Sequence, residues 1–218
     1  MTALAPARST RRLILAGAAV LLVALGLVAL MVVRPSAASP SGASSSQSAP
    51  AEDSVDAGFA RDMAIHHQQA VEMSFIVRDR TDDEDVRRLA YDIINTQANQ
   101  RGMMLGWLEM WGLPKSAAGP PMAWMGHTVT PTDDGSLMPG MATDAELAAL
   151  KAAEGEKAEV LFLRLMTVHH RAGADMARAA ADAAKTDAIR NLAQGMVRGQ
   201  RSEIGLMADM LKERGAKP

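Results

Sequence analysis

The chain has 218 residues, a formal net charge of −2 and a pI near 6.2, so no global field points to nucleic acid. Cysteine is absent, which excludes disulfides, thiolate metal sites and cysteine nucleophiles at once. Aromatics are only 3% against 16 methionines, and the Ala-, Leu- and Met-rich composition favours helix over sheet.

Residues 1–12 read as a cytoplasmic N-terminus carrying Arg8, Arg11 and Arg12. Leu13 to Val33 is an uncharged apolar run long enough to cross a bilayer. The arginines before it predict an inside N-terminus and an exported remainder. The run is either an uncleaved transmembrane anchor or a signal segment, with small residues at Ser36-Ala37-Ala38 suited to cleavage. Residues 34–51 are mostly Ser, Ala, Pro and Gly, which bury little, and read as a disordered linker. The protein is thus expected outside the cytoplasm, anchored or secreted, with residues 52–218 as its one folded domain.

A helical pattern runs from about Asp53 to Arg78. Thr81-Asp82-Asp83-Glu84 has the form of a capping box opening a second helix, roughly Asp83 to Trp111, which Gly112 and Pro114 stop. The Pro- and Gly-rich stretch 113–142 reads as a long loop, often a functional feature in a compact domain. Thr143-Asp144-Ala145-Glu146 is a second capping box, and the short helix after it breaks near Gly155. A long helix from about Glu156 to Ala184, a turn at Thr186 and Asp187, and a last helix to Arg214 follow.

Two stretches repeat. Met63, His66, His67, Ala70 and Met73 correspond to Met166, His169, His170, Gly173 and Met176 at a constant offset of 103 residues. The same offset relates Phe59 to Phe162 and Arg61 to Arg164. In the following helices it relates Arg87, Gln97, Met104, Leu108 and Gly112 to Arg190, Gln200, Met207, Leu211 and Gly215. A gapless offset across two helices and a turn means a duplicated helical hairpin, and two hairpins on a long connection make an all-α four-helix bundle with pseudo-twofold symmetry.

A helix advances about 100° per residue, so Phe59, Met63, His66, Ala70 and Met73 share one stripe, with His67 on its flank and Glu72 opposite. The second copy repeats this. His66 and His169 are therefore carried inward with two methionines each, while Ala70 and Gly173 let the helices approach. Imidazole and thioether together are soft donors suited to copper, thioether favouring Cu(I) in particular. Met63, His66, His67, Met73, Met166, His169, His170 and Met176 are the candidate ligands. Cu(II) would favour imidazole with Asp62 or Asp175 nearby. The loop adds Met122, Met125, His127, Met138 and Met141, as a lid or a second, weaker site.

Plainer roles stand beside these. Methionine fills helical cores, the expected role of Met104, Met196 and Met207. Gln97 and Gln200 either hydrogen-bond the histidines or one another. A metal-free envelope interaction module and a di-iron oxidase are alternatives. The latter needs inward glutamates with Glu-x-x-His spacing, and neither histidine pair has a Glu at that position. No catalytic triad or phosphate loop is visible.

Phe162-Leu163-Arg164-Leu165-Met166-Thr167-Val168-His169-His170, Met176-Ala177, Gln200-Arg201-Ser202-Glu203-Ile204-Gly205-Leu206-Met207 and Met138-Pro139-Gly140-Met141 resemble a bacterial family. It is filed as a domain of unknown function and includes the copper-resistance protein CopM. The resemblance spans about Asp53 to Gly215. The first copy matches at its methionines and histidines but has Gln100-Arg101 where the family has Glu-Ile. The resemblance implies a ferritin-like four-helix bundle that handles copper outside the cytoplasm. A chain that sequesters copper or hands it on has a copper donor or acceptor protein as a candidate partner. The resemblance also adds Glu203 to Gln97 and Gln200 as candidate hydrogen-bond partners of the ligands.

Overall fold

The computed structural model describes residues 48–217 except Thr128. The expected cytoplasmic segment 1–12, the apolar run 13–33 and the linker up to residue 47 lie outside the described residues. Among the described residues, no helix is long and apolar enough to cross a membrane.

Every regular element among them is helical: α1 (Val55–Arg78), α2 (Glu84–Met110), a 3-10 turn (Ala123–Met125), α3 (Asp144–Ala152), α4 (Gly155–Ala183) and α5 (Asp187–Glu213). α1 packs on α2, α4 on α5, and the hairpins meet chiefly through α1 and α4. One long connection joins the hairpins, as in ferritin-like bundles. The starts follow from local side chains, because the first N–H groups of a helix lack internal partners. Ser54, Asp83 and Thr186 each accept from a backbone N–H three residues on, and Thr143 and Glu146 form the expected capping box.

The capping box predicted at Thr81 does not form. Asp83 caps α2, and the Thr81 hydroxyl instead donates to the buried Glu159 carboxylate on α4. A buried carboxylate without donors costs more than one weakened cap, so the tertiary bond wins.

The duplication recurs in the hydrogen bonds. Asp56 on α1 accepts from Lys185 N–H at 2.9 Å, Thr186 N–H at 2.8 Å and the Thr186 hydroxyl at 2.6 Å. Glu159, its counterpart on α4, accepts from Thr81 and from Arg214. Each hairpin thus inserts a carboxylate into the turn of the other. Arg61 donates to the Pro114 carbonyl and Arg164 to that of Lys217, each tying down the end of its own hairpin.

The core divides into two apolar clusters. One joins Phe59, Ala60 and Met63 of α1 to Met176, Ala177 and Ala180 of α4. The other joins Ala70, Met73 and Val77 to Phe162, Leu163 and Met166. Residues before His66 therefore meet residues after His169, so α1 and α4 run antiparallel. The histidines lie between the clusters.

Candidate metal centre

The antiparallel pairing brings His66 and His169 face to face, with ring centroids 3.6 Å apart and planes tilted by 31°. His169 Nε2 donates to the His66 carbonyl at 3.0 Å. The flanking histidines reach outward to the second helix of their own hairpins. His67 Nε2 donates to Gln100 Oε1 and His170 Nε2 to Glu203 Oε2, both at 2.8 Å. Gln100 and Glu203 are themselves related by the repeat, so one half carries an amide where the other carries a carboxylate.

All four histidines are at most 1% exposed. Burial holds His66 and His169 well below the ordinary imidazole range, and lowers His67 to about 4. These three rings are therefore neutral at pH 7. In the neutral rings of His67 and His169, where Nε2 is the donor, Nδ1 keeps its lone pair, and Nδ1 of His67, His169 and His170 has no hydrogen-bond partner. Neither ring nitrogen of His66 has one. Buried polar atoms left unpaired are costly and ask for an explanation.

The sulfurs flank this layer. Met63 and Met176 pack on one side and Met73 and Met166 on the other, all at most 1% exposed. Gly173 supplies the space at the centre: a Cβ there would lie 2.6 Å from Gln200 Oε1 and 3.1 Å from His66 Cε1. Among the described residues, no group of three or more His, Asp or Glu side chains is disposed to hold a metal ion. The carboxylates named with Cu(II) are not at the layer. Asp62 accepts from Met122 N–H at 2.7 Å and Trp124 Nε1 at 2.8 Å, and Asp175 has a side chain 74% exposed. Burial raises the Asp62 carboxyl against the pull of those two bonds.

The loop donors divide. Met122, Met125 and His127 line a cavity of about 370 Å³ together with Met176 and Asp175. Met138 is buried in the same cluster as Met63 and Met176. Met141 is half-buried and faces a different cavity, beside Gln69 and Leu147.

Residues 56–211 match the profile of DUF305, a domain of unknown function. The chain belongs to the DUF305 family. It is similar to a candidate secreted DUF305 protein of Streptomyces coelicolor, at 61% identity over 77% of this chain and 98% of that one, with a TM-score of 0.72. A DUF305 fragment from Deinococcus radiodurans is 32% identical over 73% of this chain and 96% of that one, with a TM-score of 0.62. CopM in its Cu(I)-bound form shares the fold at 23% identity, 72% and 96% coverage and a TM-score of 0.54. The comparison with curated proteins gives no match.

Within this DUF305 domain, the two glutamines matched by the repeat are not the partners of the histidines. Gln97 and Gln200 are buried, but neither bonds a histidine or the other, and Oε1 of each lacks a partner. Glu203, the third candidate partner, accepts from His170, and Gln100, its counterpart in the repeat, accepts from His67. Gln200 ends against the centre of the layer, as its closeness to Gly173 makes plain. Asp56 and Glu159 were also not expected, although their places on the apolar stripe were a readable signal.

Proposed function

We propose that this DUF305 protein binds copper outside the cytoplasm and sequesters it or passes it on, with Met63, His66, His67, Met73, Met166, His169, His170 and Met176 supplying the donors. The observation that carries this reading is a buried layer of imidazoles with unpartnered nitrogens, His66, His67 and His169 neutral among them, flanked on both sides by thioethers. That donor set suits Cu(I), and imidazole alone suits Cu(II). CopM, which shares the fold, has structures in Cu(I)-bound, Cu(II)-bound and Ag-bound forms. Arginines before an apolar N-terminal run, and the candidate secreted relative from Streptomyces coelicolor, favour an exported protein. A di-iron centre is disfavoured, since Glu72 pairs outward with Lys151 and Asp62 is engaged by the loop.

The test is a competition titration of the full chain, in mild detergent, against a Cu(I) chelator. A variant with His66, His67, His169 and His170 changed to alanine is compared, with helicity checked by circular dichroism. The expected loss exceeds the roughly 10- to 100-fold typical of changing a ligand's hydrogen-bond partner. A folded variant with unaltered affinity refutes the assignment, and favours a metal-free interaction module.

The unequal halves give a finer expectation. Glu203→Gln makes the second half resemble the first and should weaken copper binding by roughly tenfold, whereas Gln100→Glu should strengthen it. The same chelator competition reads both. Equal affinities in all three proteins would mean that the carboxylate only orients His170.

A further inference from the structure

We propose that the pocket formed by Met122, Met125 and His127 is the port through which a soft monovalent ion, Cu(I), reaches the histidine layer. The inference rests on the copper reading above and names the route to that site. Its starting point is burial: the eight candidate ligands are at most 1% exposed, so an ion needs a path to them.

The pocket has the chemistry of such a path. Its wall carries three thioethers, from Met122, Met125 and Met176, and one imidazole, from His127. A single carboxylate, Asp175, stands beside them, itself 3.9 Å from Arg178. That set is wrong for Ca²⁺ or Mg²⁺, which want several oxygens, and right for a polarizable ion. Met176 belongs to both sites. It lines the pocket, and it packs in the apolar cluster of Met63, one turn from His66 and His67. A sulfur shared in this way allows hand-off from thioether to thioether without release to water.

The pocket is also built rather than incidental. Met122 has φ of +61°, the one non-glycine residue in the left-handed region among those described. Its N–H is held by the buried Asp62 carboxylate, which also takes the Trp124 indole N–H. Trp124 lies edge-on to Phe59 and against Gly58, where a Cβ would come within 2.5 Å of the indole. Helix α1 therefore clamps the short turn between Met122 and Gly126 in a conformation its sequence would not choose alone.

Ag(I), a redox-silent soft ion, tests the route when added to the full chain carrying ¹³C-methyl methionine and followed by NMR. In the wild type the Met122, Met125 and Met176 methyls should shift before those of Met63, Met73 and Met166. In Met125→Leu/His127→Ala, at a half-buried and an exposed position, the buried methyls should reach the same end point at least an order of magnitude more slowly, since loading must then await a local opening. Buried methyls that shift in the variant at the wild-type rate overturn the port and leave the buried site standing. Buried methyls that never shift in the wild type overturn the buried site, and the port as a route to it.

Discussion

Changing methionine to leucine in pairs, Met63 with Met176 or Met73 with Met166, should lower Cu(I) affinity by roughly 10- to 100-fold while leaving the fold intact and Cu(II) binding less affected. The contrast separates ligand from filler. Leucine and methionine have similar volumes, so each exchange in a packed core usually costs less than about 1.5 kcal/mol. Each double variant removes both candidate-ligand sulfurs from one apolar cluster and none from the other. The pair with the larger effect therefore identifies the side of the histidine layer on which Cu(I) sits. Thioether matters most to Cu(I), whereas Cu(II) depends more on imidazole, which both variants retain. Chelator competition in each oxidation state, with a melting curve for each variant, reads all of this. If both variants bind Cu(I) like the wild type, the four methionines are core residues only.

The architecture was legible because the duplication is written at one fixed offset. That offset gave the hairpins, and the 3.6-residue period then gave the inward stripe with His66 and His169 on it. The period was less informative about the flank. His67 sits at the edge of the stripe, and a flank residue meets a flank residue: its partner is the half-exposed Gln100, one turn beyond the fully inward Gln97. Periodicity selects a face, but the reach of a side chain across a helix interface depends on the packing of that interface. Asp56 and Glu159 illustrate a signal present but unread. On the wheel that places Met63 at the centre both fall on the apolar face, and a carboxylate there must find donors elsewhere in the chain. Those donors, at Thr186 and Thr81, lie in the opposite hairpin, beyond any local pattern. The division of the loop methionines had no periodic signal at all, because Pro- and Gly-rich backbone has no fixed face. It follows from two long-range clamps, Asp62 on Met122 and the Gln69 amide on the Ala142 backbone.

Three neutral buried histidines, His66, His67 and His169, make the metal-free protein acid-labile. In the unfolded chain imidazole titrates near 6.5. In the folded chain His67 is lowered to about 4, and His66 and His169 well below their usual value, by burial. Folded-state values below the unfolded one mean that the unfolded chain takes up more protons, so stability is full above pH 6.5 and falls as the pH drops below it, until the folded rings titrate. For a single histidine of this kind the loss at pH 5 is about 2 kcal/mol. Three would lose about 6 kcal/mol if independent, and less as coupled neighbours, against a typical total of about 5–15 kcal/mol. Asp62 acts in the opposite sense: its raised folded value favours the folded state as it protonates, which offsets part of the loss near the bottom of this range. Urea unfolding of the metal-free chain at pH 7.5, 6 and 5 should therefore show a falling midpoint, and His67→Gln should flatten the slope. Bound copper opposes the same protons, because it occupies the lone pairs they need, so the loaded protein should hold its midpoint to lower pH. A metal-free midpoint that does not move between pH 7.5 and 5 would mean that the buried rings are solvated or charged in the folded state, and the neutral donor layer would then be lost as the basis for binding copper.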